Sequence, residues 1–151
     1  MANTTIQGPV TSKAGFITTG PANVVDAYSS VSLTGATQSG KSVHNDAAGA
    51  VTYTLPATNA NSDSAVAGPG ADLNNLSNVG AKFEIFSSIT KTGDLVVQVA
   101  NATDVMIGSA SFIDDTSDNM VGFETASTSD TITLNGSDKG GVPFAKIECI
   151  V

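Results

Sequence analysis

Between Lys82 and Asn135 apolar residues alternate with polar or small ones, and this periodicity constrains the fold more than any other feature of the chain. Phe83 and Ile85 fall on one side of the alternation and Lys82 and Glu84 on the other. Leu95, Val97 and Val99 share a face, as do Val105 and Ile107, Val121 and Phe123, and Ile132 and Leu134. Successive side chains of a pleated strand point to opposite faces, so a period of two marks strands with one buried face. Polar stretches separate the runs: Thr92-Gly93-Asp94, Asn101 to Asp104, Asp114 to Asn119, and Thr128-Ser129-Asp130. Their short side chains hydrogen-bond nearby backbone and favour turns. Short strands at close spacing with polar turns predict an all-β fold, an antiparallel β-sandwich or barrel.

The rest of the chain extends this pattern. Val31 and Leu33 alternate with Ser30, Ser32 and Thr34, short strand character is expected around Val43, and Val51, Tyr53 and Leu55 form a run stopped by Pro56. Asn135-Gly136 is a strong turn signal, and Ala145, Ile147, Cys149 and Val151 mark a closing strand. The predicted core is Val51, Tyr53, Leu55, Phe83, Ile85, Val97, Val99, Phe123, Ile132, Leu134 and Ile147. Residues 57–80 form a long connection without strand pattern, in which Leu73, Leu76 and Val79 allow one short helical turn. No exact internal repeat is visible. Residues 1–23 differ in character: Gly8-Pro9, Gly15 and Gly20-Pro21 interrupt regular structure, while Ile6, Val10, Phe16 and Ile17 supply apolar anchors. The chain is read as an extended N-terminal arm, 1–23, and a sandwich or barrel body, 24–151. The four anchors are the expected contacts with a neighbouring subunit or another surface.

At 151 residues the chain suits one domain that buries a core without disulfide or metal. Fourteen acids against six bases leave a net charge of −8, which argues against binding nucleic-acid phosphates or an anionic membrane surface. The single cysteine, Cys149, excludes an intrachain disulfide and reads as a small buried apolar residue. The first ten residues have neither a charged start nor an apolar run, so synthesis without a signal peptide, in a cytoplasm, is expected.

Several patterns suggest chemistry and are set against their context. Gly35 to Ser42, GATQSGKS, matches the phosphate-cradling loop, but that loop needs a helix beginning at Lys41-Ser42. Gly49 and the strand ending at Pro56 leave no room for one, so no nucleotide is expected. His44, with Asp46 two residues on, lacks a Gly-x-Ser-x-Gly elbow to complete a Ser-His-Asp arrangement and reads as a solvent-facing loop residue. Asp114, Asp115 and Asp118 lack the Gly and terminal Glu of a calcium loop. Glu124 and Asp130 carry no further sign of a glycosidase pair. No catalytic, cofactor-binding or metal-binding residues are therefore assigned. A metal on a symmetry axis, taking His44 from each subunit, is the one metal arrangement the ligand count leaves open.

The segments AGAVTYTLPA (48–57), VGAKFEIF (79–86), LVVQVANATDVMIG (95–108) and DDTSDNMVGFETASTSDTITLNGS (114–137) resemble a family of small virion proteins of tailed bacteriophages. Many of these phages are short-tailed and marine. The members are described as head decoration or cement proteins. The resemblance implies a non-enzymatic, β-rich capsid accessory protein that is synthesised in the host cytoplasm. Its place would be the exterior of the virion, as a homo-oligomer, expected to be a trimer, bound to the major capsid protein. A β-rich tail or fibre module binding a host receptor or glycan is the alternative.

Overall fold

The computed structural model describes residues 24–34, 38–58, 79–114 and 119–151. The arm and its four anchors lie outside these residues, as do the helical turn read at Leu73 and Leu76 and the acids Asp115 and Asp118. The described chain is built from strands: β1 (Val24–Asp26), β2 (Val31–Ser32), β3 (Ser42–Asn45), β4 (Val51–Thr54), β5 (Lys82–Ser87), β6 (Leu95–Gln98), β7 (Ser109–Asp114), β8 (Asn119–Glu124), β9 (Thr131–Leu134) and β10 (Lys146–Ile150).

These strands form two four-stranded sheets, ordered β1-β3-β5-β10 and β2-β4-β6-β9, and a separate β7-β8 hairpin. The chain alternates between the two sheets: β1 then β2, β3 then β4, β5 then β6. Each circuit lays its strands parallel to those of the circuit before. β9 and β10 then return antiparallel, against β6 and β5. The expectation of an antiparallel arrangement is corrected accordingly: both sheets are mixed, with parallel centres and one antiparallel edge each, and neither closes into a barrel. A parallel neighbour requires a long crossover. Here the crossover passes through the opposite sheet, and the long connection of residues 57–80 falls within one such circuit.

The winding is a repeat of topology that sequence identity does not reveal. Register stacks Val25, Val43, Ile85 and Ile147 in one column, and Val31, Tyr53, Val97 and Ile132 in another. A slip of one residue would turn a whole strand's apolar set outward, so these columns hold the register. Leu33, Val43, Val51, Tyr53, Leu55, Phe83, Ile85, Leu95, Val97 and Ile147 form a single buried cluster to which both sheets contribute. Ile132, Leu134, Cys149 and Val151 pack against it, partly buried.

Two assignments are reversed. Phe123, expected in the core, is 52% exposed on the hairpin. Val105 and Ile107 face outward while Met106 between them packs on the core, so that segment presents the opposite face to the one expected. Val99, also expected inside, is only half-buried.

Candidate functional site

Parallel stacking sets residues of equivalent position side by side on the outer face of the first sheet. Asp26, His44 and Phe86 share one row of the register. His44 Nδ1 lies 2.8 Å from Asp26 Oδ1 and Nε2 lies 2.8 Å from Ser88 Oγ. The imidazole stacks on Phe86 with ring centroids 4.9 Å apart. His44 is thus a half-buried strand residue, not the loop residue expected, and its acid partner is Asp26 in place of Asp46. The order Asp–His–Ser is that of a hydrolytic relay. Such a relay also needs N–H donors aimed at a developing oxyanion. The Ser88 amide is already spent on the Asn45 carbonyl at 3.0 Å. The row ties the three circuits together by hydrogen bonds and ring stacking.

Beside it on the same face, Glu84 accepts from Ser42 Oγ at 2.5 Å and from Lys146 Nζ at 3.0 Å. Glu148 pairs with Lys82 at 3.0 Å. The Ser42 hydrogen bond, then Lys146, holds the Glu84 carboxyl below its ordinary range, and Lys82 does the same for Glu148.

A second polar cluster lies inside, at the corner where the chain passes from one sheet to the other. Lys91 is 2% exposed, Asn45 and Tyr53 0%. Lys91 Nζ donates to Asn45 Oδ1 at 3.2 Å, to the Gly49 carbonyl at 2.7 Å, and to the Ala47 carbonyl. Asn45 Nδ2 donates to Tyr53 Oη at 2.6 Å and to the Ala27 carbonyl at 3.3 Å, and Tyr53 Oη donates to that same carbonyl. Burial lowers the pKa of Lys91 and raises that of Tyr53. Among the described residues no buried side-chain polar atom lacks a partner. Sequence reasoning passed over Lys91. Its one signal was a lysine between two strand runs, beside Thr92-Gly93.

The third feature is the β7-β8 hairpin. Thr125 N–H donates to the Gly108 carbonyl at 3.1 Å and Met106 N–H to the Ser129 carbonyl at 2.7 Å, fastening its base. Ile107, Met120, Val121 and Phe123 are exposed on or beside it. An open groove runs along residues 107–111 and 122–125.

At GATQSGKS, residues 35–37 lie outside the described set. β3 begins at Ser42, so the chain continues as strand where a phosphate loop requires helix. Glu124, at the end of β8, and Asp130, just before β9, belong to different sheets. Among the described residues, no three His, Cys, Asp or Glu side chains converge as a metal site would need. No family model, curated protein or solved structure matches this chain.

Proposed function

We propose that this chain is a virion structural protein, a decoration or cement protein on the exterior of a bacteriophage head. In this reading its body, 24–151, is a β-sandwich whose two sheets close on one core, and residues 1–23 are an extended arm. The observation that carries the reading is the apolar hairpin. It stands apart from both sheets, and it lies in the stretch of sequence that resembles decoration proteins. A two-stranded hairpin is marginal alone in water, and exposed Met120, Val121 and Phe123 beside Ile107 give it surface to bury against a partner. The partner proposed is a second subunit of a homotrimer, a form that suits the local threefold axes of an icosahedral shell.

The arm is the proposed anchor to the major capsid protein. Ile6, Val10, Phe16 and Ile17 would supply several kcal/mol per arm, at about 25 cal/mol per Å2 of apolar surface buried, and three arms on one trimer would add avidity. Co-sedimentation with empty heads tests the assignment. The full chain should bind stoichiometrically, and a chain lacking residues 2–20 should stay folded and bind far more weakly. A full chain that ignores heads sinks the reading, and equal binding by both chains sinks the role of the arm.

A further inference from the structure

We propose that Lys91 and Asn45 join in an isopeptide bond inside the folded protein, with the Asn45 carboxamide nitrogen released as ammonium. The Lys91 ammonium is sealed in the corner between the sheets, and its three acceptors are a carboxamide and two backbone carbonyls. No carboxylate is among them. A buried charge without a counter-charge is costly to hold, and converting Lys91 to an amide removes it. The amine stands against its reaction partner, with Nζ 3.2 Å from Asn45 Oδ1. Holding both groups in place turns the encounter into an intramolecular step. Burial also favours the neutral, nucleophilic amine. Asn45 is oriented for the exchange: its oxygen faces Lys91 and its nitrogen, the leaving group, is gripped by Tyr53 Oη and the Ala27 carbonyl.

The step balances without a co-reactant. One proton passes from Nζ to Oδ1, along the existing hydrogen bond, and activates both partners. The Nζ lone pair forms the bond to Asn45 Cγ. A second proton then moves from Nζ to Nδ2 within the adduct, where both nitrogens are bonded to Cγ, while Tyr53 Oη, which accepts from Nδ2, keeps the carboxamide oriented. The Cγ–Nδ2 bond breaks, and the departing ammonia takes the proton left on the oxygen. A buried secondary amide and one ammonium ion remain. The bond ties the second circuit of the chain to the third, between residues 46 apart in sequence.

Peptide mapping of the purified full chain, denatured and digested with trypsin, tests this. The expected product is a branched species joining residues 42–82 to residues 83–139, lighter than the sum of the two by one ammonia, with no cleavage after Lys91. Full recovery of separate linear peptides, with cleavage after Lys91, overturns the proposal. So does loss of ammonia at Asn45 within an unbranched peptide, which would be a succinimide. Tyr53→Phe keeps the ring that fills the core but removes the acceptor that orients Asn45 Nδ2, and on first folding of chain recovered unfolded from synthesis it should form the branched species roughly a hundredfold more slowly. An unchanged rate would remove Tyr53 from the proposal.

Discussion

A methyl group at Gly136 would overlap the carbonyl oxygen of Lys91, and the residue sits at φ +77°. Gly141, at φ +89°, is packed against the same place, its absent Cβ position 2.8 Å from the Gly136 nitrogen. Gly40, at φ +70°, has open space around it. The pair Gly136→Ala and Gly40→Ala therefore separates strain from crowding. The first should lose more than about 2 kcal/mol of stability and the second about 1 kcal/mol, the left-handed penalty alone, read from urea unfolding midpoints. Core positions divide in the same way. Phe83→Ala empties a fully buried site and should cost about 3–5 kcal/mol. Phe123→Ala in the isolated chain should stay within about 0.5 kcal/mol. The sequence treated the two phenylalanines alike because alternation tells which residues share a face. Whether anything covers that face depends on another element. For Phe83 the opposite sheet does so, and for Phe123 nothing among the described residues does.

At the scale of elements, most strands were legible and the pairing was not; β1 went unread, and the alternation at Val105 and Ile107 falls on a loop just before β7. Val43, Val51–Leu55, Phe83–Ile85, Leu95–Val97, Ile132–Leu134 and the closing run all lie on or beside strands where alternation put them. Parallel pairing left one trace, the length of the connection at 57–80, which no hairpin needs. Missing it also misplaced the partner of His44. Asp46 is its neighbour in sequence, but one circuit of the winding carries Asp26 to its side. The corner formed by Asn45, Tyr53 and Lys91 was hidden for the same reason, since its parts come from two circuits. Among the described residues the hairpin differs from the wound sheets in having no further strand on either edge. Amide hydrogen exchange in the isolated chain should therefore be fastest across β7 and β8 and slowest in the central strands β3 to β6. Protection of β7 and β8 equal to that of β5 would show that the hairpin is already covered in solution.

For the molecule as a whole, charge and burial set a stability profile with a distinct cause on each side. In acid three carboxyls act in the same sense: hydrogen bonds, the one from Asn135 first, depress Asp138 below its ordinary 3.8, and hydrogen bonds and nearby lysines depress Glu84 and Glu148 in the folded state below the ordinary glutamate value of 4.5. Below those values the unfolded chain binds more protons than the folded one, so stability rises with pH there and falls as pH drops through the folded values. Relief of the repulsion within a chain of net charge −8 acts in the opposite sense and is screened by salt. The acid loss should therefore shrink in Glu84→Gln/Glu148→Gln relative to the parent chain at one fixed ionic strength, because salt also screens the exposed Lys146–Glu84 and Lys82–Glu148 pairs. An undiminished loss in that double variant would assign the transition to other carboxyls. In alkali, burial raises Cys149 above its ordinary 9.0 and Tyr53 above 10.0, so the folded state holds protons that the unfolded state sheds, and stability falls as pH rises past those values. Lys91 as a free amine works against this. Its pKa is lowered from 10.5, the unfolded chain binds more protons between the two values, and stability rises with pH across that window. Once Lys91 has become an amide it no longer titrates. Unfolding midpoints measured from pH 8 to 11 (on the order of the Cys, Tyr and Lys values) should then fall without a plateau in the mature chain. Chain recovered unfolded from synthesis, in which Lys91 is still a free amine, and assayed on its first folding before the bond forms, should fall less steeply, and identical profiles for the two would mean that Lys91 has the same state in both.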